Sequence, residues 1–134
     1  MTVVRGVQAH EVHEVAAIVG PLIERGLARQ KSYTRAEVMA SLEEGRRQLF
    51  IAEPARDCIL ITEIPIYPGE KVLQVFLVAG KLPEDWKLVL GKLEQWAADL
   101  GCAAVQVCGR RGWLRKLRGY AVPRVVMRKE LAHA

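Results

Sequence analysis

The chain has 134 residues, of which 51% are hydrophobic and 26% charged. That length supports one domain with a real core, residues 1–134, and the balance is ordinary for a soluble protein. No apolar run approaches the ~20 residues that cross a bilayer, and the N-terminus carries no signal-peptide pattern, so a membrane-spanning class is excluded and a cytoplasmic location expected.

The three cysteines, Cys58, Cys102 and Cys108, form no Cys-x-x-Cys pair and read as reduced, inert thiols. The net charge of +5 is uneven. Residues 102–134 hold eight Lys/Arg against the single acid Glu130, while residues 1–101 hold twelve against fourteen. A basic C-terminal quarter of this kind is either a solvated face or the mark of an anionic partner.

In chain order, Thr2 to Arg5 reads as a short first strand ended by Gly6. A helix from about His10 to Ala28 follows, with Val12, Val15, Ala16, Val19, Leu22 and Ile23 on its apolar face. Gly20-Pro21 lies inside it and predicts a kink or break. His10 and His13 are spaced as a usable metal pair, but no third ligand accompanies them, so no metal site is assigned. Thr34-Arg-Ala-Glu37 matches a capping box and opens a second helix that stops at Gly45.

Three apolar strands come next: Gln48 to Glu53, Cys58 to Ile66 and Lys71 to Ala79. The turns between them, Pro54–Asp57 and Tyr67–Glu70, are too short for anything but antiparallel neighbours. The third strand is rich in β-branched residues and reads as covered on both faces. A long helix, 84–100, places Trp86, Val89, Leu90, Leu93, Trp96, Ala97 and Leu100 on one side. Gly91 interrupts it at a cost of about 1 kcal/mol, which close approach of a neighbouring backbone would explain. Ala103 to Cys108 then returns as a strand parallel to Lys71–Ala79, reached by a right-handed crossover. A short basic helix, Trp113 to Arg118, and a final strand, Arg124 to Leu131, close the chain. The fold class is α/β: a mixed sheet with an antiparallel meander followed by a parallel crossover, and helices on both faces. Its switch point, at Ala79–Lys81, is where open sheets bind ligands.

This order resembles the GNAT superfamily of acyl-CoA-dependent N-acyltransferases over nearly the whole chain. The most telling local match is Gly109-Arg-Arg-Gly-Trp-Leu-Arg-Lys-Leu-Arg-Gly-Tyr120, similar to that family's closing helix and Gly-Phe-type corner. Together with Gly45–Glu53 and Glu63-Ile-Pro-Ile-Tyr-Pro68, it also resembles GNAT-like proteins of bacteriophages and prophages, for which the location would be the host cytoplasm. The resemblance implies acyl-CoA, acetyl-CoA for example, as cofactor and an amine as acceptor. It places backbone groups of Val78 and Ala79 along the pantetheine arm, and Gly80 and Lys81 at the diphosphate.

The family's phosphate loop reads Arg/Gln-x-x-Gly-x-Gly/Ala; here it is Gly80-Lys-Leu-Pro-Glu-Asp85. Pro83 removes one N–H donor, and Glu84 and Asp85 place two acids where a diphosphate would sit. Two unit charges ~5 Å apart repel by roughly 3 kcal/mol at an effective dielectric near ~20. Counting back from Gly119 to the position of the family's tyrosine acid reaches Arg115, a poor proton donor. Tyr120 holds the Phe-like position and is expected to pack.

For a base, Glu63 is the acid inside its apolar strand. It shares a side with Ile59 and Ile61, so partial burial would prepare it; a carboxylate near a strand end that reaches water is the plainer alternative. Gln74 either hydrogen-bonds a substrate or satisfies a neighbour. The candidate functions are thus three. The first is a GNAT-like N-acyltransferase with its catalytic competence in question. The second is a non-enzymatic, phage-associated interaction protein or homodimer on the same fold. The third is a nucleic-acid-binding module using Arg110, Arg111, Arg115, Lys116 and Arg118.

Overall fold

A computed structural model describes residues 1–109 and 111–132. Strand β1 (Val3–Val7) leads through a 3-10 helix (Ala9–Val15) into α1 (Ala16–Gly26) and α2 (Arg35–Glu43). Strands β2 (Gln48–Glu53), β3 (Cys58–Glu63) and β4 (Val72–Gly80) follow. Helix α3 (Trp86–Asp99), β5 (Ala104–Val107) and a 3-10 helix (Arg111–Arg115) complete the regular elements. The sheet order is β1-β2-β3-β4-β5, antiparallel throughout except for the parallel pair β4–β5. The mixed α/β sheet with its parallel crossover is therefore as the connection lengths dictate.

The alternation of β3 and β4 sorts side chains to two faces. Ile59, Ile61 and Ala79 join Val12, Val19, Ile23, Val38 and Leu42 in the core under α1 and α2. Leu73 and Val75 join Leu93 and Ala97 under α3. Each fully buried Leu or Ile contributes roughly 2 kcal/mol, so both layers hold β4 in place. The Thr34 cap is present: its hydroxyl accepts from the Glu37 N–H at 3.2 Å, and the Glu37 carboxylate accepts from the Thr34 N–H at 3.2 Å.

Three expectations are corrected. The first helix does not break at Gly20-Pro21; it changes type earlier, from 3-10 to α at Ala16. Pro21 then lies only just beyond the first turn, where it removes a single ladder bond. Gly91 has no atom within 4 Å of where a Cβ would stand, so no backbone approaches it. The segment Arg124–Leu131 is not a strand. Val125, Val126, Met127 and Leu131 are exposed, and no described strand pairs with them. β-branched residues favour extension, but a strand needs a hydrogen-bonded neighbour and a face to bury, and the four-residue β5 supplies neither to this segment.

Candidate functional site

β4 is longer than its parallel partner. Its last pair with β5 is Val75–Val107, yet β4 continues to Gly80. The divergence begins at an irregularity. Ile61 pairs with Leu77 and Thr62 with Val75, so Phe76 is the extra residue of a bulge. A bulge bends its strand, and here the bend coincides with the point where β4 leaves β5. Beyond it, the β5-facing backbone of residues 76–80 has no strand partner among the described residues.

A groove of about 760 Å³ fills the opening. One side is lined by Trp86, Val89, Leu90 and Leu93 of α3, the other by Arg25, Gly26, Ala28, Arg29 and Gln30 at and just beyond the end of α1, and β4 forms the wall between. Val107, Cys108, Gly109 and Trp113 form the far rim. Trp113 meets Trp86 edge-on at 5.9 Å between ring centroids, tying the second 3-10 helix to the start of α3. Gly26 lets α1 come this close: a Cβ there would stand 2.7 Å from a Leu77 methyl and 3.1 Å from the Ala79 Cβ.

The four backbone positions assigned from sequence separate here. Val78, Ala79 and Gly80 line the groove; Lys81 does not. Val78 is 41% exposed, an open apolar position between the half-buried Leu77 and the buried Ala79. Gly80 has φ +98°, and any Cβ would collide with the Asp57 carbonyl. The Lys81 N–H already donates to that carbonyl at 2.8 Å, which leaves its ammonium as its means of meeting a phosphate. Asp85 faces the N-terminal strand region, its carboxylate accepting from the Thr2 N–H at 2.9 Å. Hydrogen bonds from the Thr2 side chain and backbone hold its carboxyl below the usual range. The N-cap position of α3 thus keeps a charged acid, although its first turn holds none, and the Trp86 N–H is occupied by the Pro83 carbonyl at 3.2 Å.

Glu63 is half-buried on the α1/α2 side of the sheet, as its alternation implied, and is not among the residues lining the groove. Arg47 Nε donates to one of its oxygens at 2.9 Å and Gln74 to the other at 2.8 Å. Gln106 in turn donates to Gln74 at 2.6 Å and to the Tyr67 hydroxyl at 3.3 Å. Gln74 therefore satisfies its neighbours across three strands. Arg47 also donates to Ser41 Oγ at 3.0 Å and lies 4.1 Å from the Phe76 ring centroid, so the polar chain is anchored at the bulge. Sequence reasoning passed over Arg47; its only signal was a cation next to an apolar strand.

The Tyr120 hydroxyl donates to Glu94 at 2.8 Å, and burial followed by that bond pushes its pKa well up. Arg115, Lys116 and Arg118 are exposed, while Arg110 and the Arg111 side chain lie outside the described residues. Cys58, buried beside the groove, has its thiol pKa raised by desolvation and then by the Asp57 charge.

No protein-family model matches the sequence, and no curated protein is detectably similar to it. Solved structures do match. A ribosomal-protein-alanine N-acetyltransferase from Brucella melitensis superposes with a TM-score of 0.68 at 13% identity, covering 98% of this chain and all of that one. A GCN5-related N-acetyltransferase from Ralstonia eutropha gives 0.66 at 13% identity, covering 99% and 100%. An aminoglycoside N-acetyltransferase in complex with CoA gives 0.67 at 12%, covering 98% and 96%.

The fold is the GNAT fold. At such identities the likeness establishes architecture and no more. The narrower resemblance to phage-encoded proteins has no counterpart among these structures. In GNAT terms the groove lies at the divergence of the fourth and fifth strands, where the sequence resemblance put the pantetheine arm. No described helix is long and apolar enough to cross a membrane.

Proposed function

We propose that this chain is an acyl-CoA-dependent N-acyltransferase, with acetyl-CoA as the simplest donor. One observation carries the reading: β4 outruns β5 by five residues, leaving unpaired backbone along a groove large enough for a pantetheine arm. Such an arm carries amides and adds to a free strand edge as a peptide does. Val78, Ala79 and Gly80 offer that edge, and Lys81 offers one cation to the diphosphate.

In the reaction the acceptor nitrogen attacks the thioester carbonyl. The C–S bond breaks, an amide forms, and CoA leaves as a thiolate that takes its proton from solvent. Glu63 is the candidate base, receiving the amine's proton through water, because it is the carboxylate nearest the bulge in the strand alternation. Arg47, 2.9 Å away, holds the carboxylate in orientation.

A second reading is favoured by specific bonds. The Lys81 amide is committed to Asp57, an acid remains at the α3 start, and both Glu63 oxygens are occupied. A chain that keeps the GNAT fold as a non-enzymatic interaction protein would show these features. Calorimetry with acetyl-CoA separates the two. The enzyme reading expects binding, weakened by Lys81→Glu. At ~1 mM ligand a ~10 µM site adds roughly 2.7 kcal/mol of stability, so absence of both heat and thermal shift refutes it.

A further inference from the structure

The charges around the groove are one-sided. Among the described residues lining it, the charged side chains are Arg25 and Arg29, and no Asp or Glu takes part. They stand four residues apart, on either side of the Gly26 contact with β4. Both are exposed, and neither makes an ion pair with a described residue, whereas Arg35, Arg46, Arg47 and Arg56 all do. Behind them, Leu77 and Ala79 form an apolar wall, beside which charge pairing is less screened than in open water. This mouth opens on the face opposite α3.

We propose that Arg25 and Arg29 bind an anionic group, a carboxylate or phosphate, carried by the acceptor amine. The inference rests on the acyl-transfer reading, in which CoA enters past α3 and Lys81 and the acceptor arrives from the other side. Arg25 lies in the last turn of α1 and Arg29 in the turn just beyond it, and two guanidiniums so placed grip a planar or tetrahedral anion through forked N–H pairs. The same two charges, with no acid to offset them, disfavour an ammonium in the groove and so favour the neutral, nucleophilic amine. Polycationic acceptors such as aminoglycosides or spermidine are repelled for the same reason.

The test uses amines matched in pairs: phosphoethanolamine against ethanolamine, and glycine against glycinamide, with spermidine as the polycation. Binding to the full chain is followed by NMR titration of the Gly26 and Leu77 amides, which needs no turnover. The anionic member of each pair should bind roughly tenfold tighter. Arg25→Ala and Arg29→Ala should each erase that preference, and Arg25→Glu should shift it toward spermidine. With acetyl-CoA present, the Ala variants should raise KM for the anionic acceptors with little change in kcat.

Equal binding within pairs, or tightest binding of spermidine, overturns the proposal. So does a result in which the Ala variants weaken acetyl-CoA but not its 3′-dephospho analogue, because the guanidiniums then serve the cofactor. If the anionic amines bind while acetyl-CoA does not, the acyl-transfer reading falls and the anion site stands.

Discussion

Arg47 shows how one side chain can organise a region. It joins Glu63 on β3, Ser41 on α2 and the Phe76 ring at the bulge. Its side chain is only 12% exposed and that of Glu63 19%, so the pair sits in weakly screened surroundings. Removing one partner of such a pair leaves a charge with too few hydrogen bonds. Arg47→Ala is expected to destabilise the protein by about 3 kcal/mol, read from the urea midpoint. Arg47→Lys should recover only part of this, since an ammonium cannot reach Glu63 and Ser41 with a rigid fork. The sequence showed Glu63 as an acid on an apolar face, but its partner lies sixteen residues earlier, and only folding brings the two together.

At the scale of elements, two glycines that look alike in sequence act differently. Gly91 sits exposed on α3 with open space around it, and its role is confined to helix propensity. Gly91→Ala should stabilise the protein by roughly 0.5–1 kcal/mol. Gly26 ends α1 against Leu77 and Ala79, where a methyl has no room. Gly26→Ala should destabilise it by about 1–3 kcal/mol through overpacking. Thermal melts of the two variants should move in opposite directions. The amphipathic spacing of α3 and the capping box of α2 were legible because both are local patterns. The contact of Gly26 with β4 was not, because it joins positions about fifty residues apart.

On the scale of the whole molecule, the opening between β4 and β5 matters most, and it arises from unequal strand length combined with one bulge. The C-terminal segment contributes little to this frame. Arg124 donates to the Tyr67 hydroxyl at 3.3 Å, but Val125, Val126, Met127 and Leu131 are 65–90% exposed. Ending the chain after Arg124 should therefore change stability by no more than about 0.5 kcal/mol, measured by denaturant unfolding. A larger loss would mean that the segment makes a structural contact, as the strand expected from its β-branched residues would.

The sequence by itself determined the order and type of most elements, the antiparallel meander and the parallel return. These follow from periodicities of two and 3.6 and from the reach of short connections. It also showed two acids, Glu84 and Asp85, just ahead of α3, where the family resemblance would put a diphosphate. Only the tertiary structure decided that β4 bulges at Phe76 and parts from β5, that Arg25 and Arg29 stand at the resulting groove, and that Arg47 holds Glu63. Each of these depends on residues distant in the chain meeting in space. A strand's partners, unlike its pattern, are properties of the folded whole.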